Sequence, residues 1–99
     1  MAVLMEIEFP GVTTQQYDDV DRRVGARSGQ PPEGLLFHTA MVTETGLRVI
    51  DLWESTDAFQ DFFARLQPVV KELGYSEPSA PPKFTEVHYH FERPQSVGT

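Results

Sequence analysis

Histidine is the side chain whose charge changes nearest neutral pH, and this chain carries three, His38, His88 and His90. His38 lies in an apolar, β-compatible run, GLLFHTAMV, which leads through Thr45-Gly46 into a second run, LRVIDLWES. A hairpin with Thr45-Gly46 as its loop sets Glu44 opposite Leu47, Val42 opposite Val49, Ala40 opposite Asp51 and His38 opposite Trp53. Side chains alternate along strands. One face then carries Leu36, His38, Ala40, Val42, Val49, Asp51 and Trp53, and the other Phe37, Thr39, Met41, Ile50 and Leu52. An imidazole on the first face can take a proton from a phenol or an enol. Asp51 shares that face and could orient the ring, while Trp53 offers a flat apolar wall to an aromatic ligand. The plainer reading is a core histidine satisfied by a backbone carbonyl beside a core tryptophan.

His88 and His90 form an H-x-H pair in the run KFTEVHYHFE, read as a strand over 83–92. Both imidazoles would point to one side, as in some metal sites, but a third ligand is needed. In a sheet of order 4-1-3-2, His38 is on the opposite edge, roughly 14 Å away at ~4.8 Å per strand. Glu86 or Glu92 could serve instead. We expect no metal, with solvated or dimer-edge histidines the plainer reading. Tyr17 could lean over a pocket from the first helix, where a hydroxyl would suit enolate stabilisation; core packing is the alternative.

These residues need elements to hold them. Residues 2–9 alternate Val3, Met5, Ile7 and Phe9 against Glu6 and Glu8, a strand with one buried face. After Pro10-Gly11, Thr13 to Gln16 fits a capping box, and Tyr17, Val20 and Val24 follow at helical spacing up to Gly25. Residues 25–34, GARSGQPPEG, read as a loop, either a plain connector or a pocket rim. Ser55 caps a second helix, with Asp57 in its first turn and a broad stripe of Phe59, Phe62, Phe63, Leu66, Val69, Val70 and Leu73. Pro68 should kink that helix or restart it, and Gly74 suits its C-terminal end. A loop, YSEPSAPPK, precedes the last strand, and residues 93–99 read as a flexible tail.

The order β-α-β-β-α-β over residues 1–92 predicts one α+β, ferredoxin-like domain, a four-stranded antiparallel sheet with two helices on one face. Phe37, Met41, Ile50 and Leu52 are left on the bare face. A self-complementary partner stacking sheet on sheet would cover them, so we expect a homodimer. The 99-residue chain carries a formal charge of −7, which disfavours nucleic acid and anionic membrane surfaces as partners. Without cysteine there is no disulfide, zinc ribbon or thiol chemistry. No run approaches the ~20 apolar residues of a membrane span, and MAVLMEIEFP lacks a basic leader segment, so a cytoplasmic protein is expected. The glycines are scattered and form no phosphate loop.

The strand end DLWES, running at once into TDAFQDFF and then LQPVVKELG, resembles the antibiotic biosynthesis monooxygenase-like family of the dimeric α/β-barrel superfamily. The resemblance implies a pocket in each subunit between sheet and helices, with Trp53 at the position of a pocket-lining tryptophan. On that basis His38 and Asp51 are the expected catalytic residues. Trp53, Tyr17, Leu36, Met5 and Phe62 are expected to bind a small hydrophobic or aromatic ligand. The haem-degrading branch uses an asparagine on its first strand; this chain has no asparagine, so no haem or other cofactor is expected. Two functions follow. One is a cofactor-independent monooxygenase, cyclase or isomerase of a polyketide-type compound. The other is a non-enzymatic dimeric module that binds a hydrophobic molecule or scaffolds. Whether the space between sheet and helices is open, or filled by the seven phenylalanines, separates them.

Overall fold

A computed structural model describes residues 1–24 and 31–93. Residues 25–30 of the expected loop, with the Gly25 helix end, and residues 94–99 of the expected tail lie outside them. The elements are β1 (Val3–Pro10), α1 (Thr14–Val24), β2 (Leu35–Val42), β3 (Gly46–Trp53), α2 (Thr56–Glu72) and β4 (Lys83–Glu86). The strands form one sheet of order β2-β3-β1-β4 with every neighbouring pair antiparallel, the expected ferredoxin-like arrangement.

Both helices start as their sequences specify. Thr13 Oγ1 accepts from Gln16 N–H at 3.1 Å, and Gln16 Oε1 accepts from Thr13 N–H at 3.0 Å, a reciprocal capping box. Ser55 Oγ accepts from Ala58 N–H at 3.1 Å. α2 runs unbroken through Pro68, so the helix does not restart there. The proline deprives the Ala64 carbonyl of its usual donor. Both residues are exposed, which leaves water as the partner.

The hairpin differs from the sequence reading by two residues. Its loop is Thr43–Gly46: Thr43 N–H donates to the Gly46 carbonyl at 2.9 Å, and Gly46 N–H to Thr43 Oγ1 at 3.1 Å. Val42 therefore pairs with Leu47, Ala40 with Val49 and His38 with Asp51. A shift of two keeps every side chain on its face, because strand alternation has period two, but it changes the partner of each. The displacement has a tertiary cause. Thr45 accepts from Gly11 N–H at 2.7 Å, and Gly46 packs so close to the end of β1 that a Cβ there would lie 2.3 Å from the Phe9 carbonyl oxygen. A second irregularity, a bulge between Leu35 and Phe37, pairs Leu35 with Trp53 and leaves Leu36 48% exposed.

Met5, Ile7, Phe9, Leu47, Val49 and Trp53 on one sheet face form the core with Val12 and Phe59. The other face is less bare than expected. Leu52 is 3% exposed there, flanked by Leu4 and Phe37. β4 ends at Glu86 rather than continuing to 92, because its partner β1 begins at Val3 and pairs with that residue. Val87 N–H makes one more bond, to the Ala2 carbonyl at 2.9 Å. His90 then lies beside Phe37, ring centroids 6.1 Å apart, so this segment crosses the outer face from the β4 edge to β2. Among the described residues no helix is long and apolar enough to cross a membrane.

Gly46→Ala is expected to destabilise the domain by ~1–3 kcal/mol, since the added methyl must push the backbone ends of β1 and β3 apart. Denaturant unfolding of parent and variant measures it; equal midpoints would show that the contact yields without cost.

Candidate functional site

The space between the sheet and its helices is open. A cavity of about 390 Å³ lies there, within the range of small-molecule sites. Its floor is the alternate residues of the sheet, Met5, Ile7 and Phe9 from β1 and Leu47, Val49, Asp51 and Trp53 from β3. α1 supplies Tyr17, Val20, Asp21 and Val24, α2 supplies Phe59, Phe62, Phe63, Leu66 and Val70, and Pro31 and Pro32 stand at its edge. The phenylalanines do not fill it, because they lean on one another. Trp53 meets Phe59 edge-on at 5.8 Å, Phe59 stacks on Phe63 at 5.2 Å, and Phe84 braces Phe59 from behind at 5.3 Å. Aromatic pairs at such distances add attraction beyond burial, so the wall is self-supporting.

One polar chain crosses this wall. Asp51 is 5% exposed. Its Oδ2 accepts the Trp53 indole N–H at 3.1 Å, and its Oδ1 lies 2.6 Å from His38 Nδ1. His38 Nε2 in turn lies 2.5 Å from the Tyr17 hydroxyl. The corrected register explains the contact, since His38 and Asp51 are directly paired across β2 and β3 and Trp53 follows Asp51 on the same face. A carboxylate accepts only, so Nδ1 carries the proton and donates. Nε2 of the neutral ring is then the acceptor, and Tyr17 O–H donates to it. The Tyr17 and His38 rings are parallel to within 7° with centroids 6.0 Å apart. A 2.5 Å O···N contact at that separation means that the rings meet through their edges rather than face to face. The hydroxyl is thus placed at Nε2, on the edge of the imidazole. Among the described residues no buried side-chain polar atom lacks a partner.

Of the residues singled out in the sequence, His38, Asp51, Trp53, Tyr17, Met5 and Phe62 all border the cavity. Leu36 does not; the bulge turns it outward and puts Leu35 in its place. His88 and His90 lie beyond the end of β4, away from the cavity, with His90 Nε2 3.8 Å from Glu92 Oε1. Among the described residues no three His, Asp or Glu side chains gather as a metal site.

The sequence reading places Tyr75 in a loop and gives it no role at the cavity. It lines the cavity and packs edge-on against Phe9, ring centroids 5.3 Å apart. Burial pushes its phenol up to about 12, helped by the neighbouring Tyr17 phenol and the carboxylates of Asp18 and Asp21. The signal was local. Gly74 has φ +80°, its N–H bonds the Lys71 carbonyl, and Tyr75 N–H bonds the Val70 carbonyl at 2.9 Å, a Schellman ending. That motif brings the residue after the glycine back onto the last helical turn.

No family model matches the chain, and neither does any curated protein. Solved structures do. SnoaB, a cofactor-independent oxygenase from Streptomyces nogalater, is similar at 15% identity and TM-score 0.61 in a variant form, covering 93% of this chain and 97% of its own. A structure described as an antibiotic biosynthesis monooxygenase from Deinococcus radiodurans is similar at 10% identity and TM-score 0.56, over 96% of this chain and 100% of its own. A monooxygenase of Streptomyces coelicolor, solved in complex with nanaomycin D, is similar at 18% identity and TM-score 0.52, over 95% of this chain and 92% of its own. The chain shares their fold.

An alkaline titration tests the Tyr75 environment. Phenolate absorbance should show an ionisation near pH 12 that is absent in Tyr75→Phe. Because the folded value of about 12 exceeds the ordinary 10.0, the stability this phenol contributes is complete below about pH 10 and lost as pH rises towards 12. Tyr75→Phe should flatten that part of the stability profile; an unchanged profile would place the hydroxyl in water.

Proposed function

We propose that the protein is a cofactor-independent oxygenase of a small aromatic, polyketide-type compound bound in the cavity. The observation that carries this reading is the Tyr17–His38–Asp51–Trp53 chain at the edge of a mostly apolar space. The shared fold with SnoaB and with the nanaomycin D-bound monooxygenase supports it by analogy. Trp53 and Phe62 hold the ring system. His38 is the base that ends up with the substrate proton, and Asp51 fixes its tautomer. Loss of a proton from an enolisable ring leaves an anion whose carbon can add dioxygen. The resulting hydroperoxide, reprotonated, loses water, so that one CH₂ and one O₂ become one C=O and one H₂O.

The reading includes a homodimer. Met41 and Ile50 stay partly exposed on the outer sheet face, and the rings of Tyr89 and Phe91 are exposed as well. A second copy stacked there would bury them.

His38→Ala should reduce oxygen uptake with anthrone by about 10²–10⁴-fold while the variant still folds and binds. Trp53→Ala should weaken binding and cost ~3–5 kcal/mol of stability, as expected for loss of a large buried ring. If the parent binds ligand without consuming oxygen, and His38→Ala lowers only the melting temperature, the protein is a binding module.

Light scattering should give twice the chain mass at micromolar concentration. Ile50→Glu should yield monomer or unfolded chain, since an unpaired charge at a buried interface costs several kcal/mol. A monomeric parent would remove the sheet-stacking argument.

A further inference from the structure

We infer that Tyr75 is the residue that recognises an oxygen of the ligand, its hydroxyl donating a hydrogen bond to a carbonyl carried by the bound ring system. The inference deepens the reading above, since it rests on an aromatic ligand in the cavity and names the group that selects among such ligands.

An apolar site fixes the orientation of its ligand through a few polar groups, and a carbonyl oxygen needs a donor. Among the described lining residues, four side chains carry one: Tyr17, His38, Trp53 and Tyr75. Three of these donors are spent within the wall. Trp53 N–H goes to Asp51 Oδ2, His38 Nδ1–H to Asp51 Oδ1, and Tyr17 O–H to His38 Nε2. The lining carboxylates of Asp21 and Asp51 accept and do not donate. Tyr75 O–H is left: among the described residues nothing accepts its proton. No buried polar side-chain atom among them lacks a partner, so this hydroxyl opens onto space rather than being sealed in packing.

The ring that carries it is held from two sides. Tyr75 N–H bonds the Val70 carbonyl at 2.9 Å, and the ring meets Phe9 edge-on at 5.3 Å. Tyr17, Asp18 and Asp21 stand close enough to raise the phenol further beyond the effect of burial, which puts the hydroxyl on the α1 side of the cavity. The phenol is pushed up to about 12 and so keeps its proton throughout the neutral range. Tyr75 therefore presents the cavity with a donor that does not switch off. The ligand class that matches it is a ring system bearing a ketone or quinone oxygen, and a hydrocarbon of the same shape leaves the donor unused.

The test uses two probes that neither react nor lose a proton in the site. Anthraquinone carries carbonyls, and 9,10-dihydroanthracene has methylenes in their place. Binding of each to parent and to Tyr75→Phe is followed by the fluorescence of Trp53, the single tryptophan of the chain. The variant should lose about 3–10-fold in affinity for anthraquinone, the range of one neutral hydrogen bond, and bind dihydroanthracene as the parent does. In the parent, the bound anthraquinone carbonyl should also stretch at lower frequency than in an apolar solvent, and the shift should shrink in Tyr75→Phe. Equal losses for both probes make Tyr75 a packing residue and overturn the inference. An unshifted carbonyl in the parent overturns it without recourse to the variant. Neither result touches the oxygenase reading, which oxygen uptake with anthrone tests separately. A parent that binds neither probe overturns the inference and the aromatic-ligand reading together.

Discussion

A carboxylate buried in an apolar wall dictates much of this structure. Asp51 is 5% exposed, and a buried anion without donors costs several kcal/mol. It needs an N–H for each oxygen, and the two come from different places. Trp53 supplies one from the same strand, two residues on; His38 supplies the other from β2. Only the observed register brings His38 opposite Asp51. In the register that a two-residue Thr45-Gly46 loop would impose, Asp51 faces Ala40 and one oxygen loses its partner. The polar requirement and the close packing of Gly46 on the end of β1 therefore favour the same alignment.

What the sequence made legible is local, or periodic with period two. The capping box at Thr13 and the Ser55 cap depend on residues three apart, and both form. The faces of β1, β2 and β3 depend on alternation, which survives a register error of two. So His38, Asp51 and Trp53 were grouped correctly before their pairing was known. What escaped depends on partners far along the chain. The loop length follows from contacts of Thr45 and Gly46 with Gly11 and Phe9. The bulge that exchanges Leu35 for Leu36 has no local sign, since two leucines in a row read alike in either phase. β4 stops because its neighbour runs out, though alternation in its own sequence continues to Phe91.

The openness of the cavity also lay outside sequence reasoning. Composition counts aromatic side chains but not their direction. Here Phe37 is on the outer sheet face, Phe91 is 69% exposed, and Phe84 braces Phe59 without bordering the cavity. The remaining rings are set against each other along α2 and the sheet, which fixes the wall while leaving space between it and α1. Tyr75 closes one side only because a Schellman turn folds it back. A cavity of this kind is made by the geometry of ring packing rather than by an excess of polar residues.

The order of groups in the polar chain also answers an electrostatic difficulty. Removing a proton from a neutral ligand in an apolar cavity creates an anion near a buried carboxylate. Two like charges in such surroundings repel far more strongly than in water. The chain places a proton acceptor between them. With a proton on His38, an imidazolium would lie between the cavity edge and the Asp51 carboxylate, the positive charge next to the buried negative one. If the proton passed instead to bulk water, the same anion would remain beside Asp51 uncompensated. The tryptophan that binds the carboxylate and walls the cavity joins the two halves of this arrangement. Burial of its ring shapes the cavity, and its N–H holds in place the charge on which the proton's position depends.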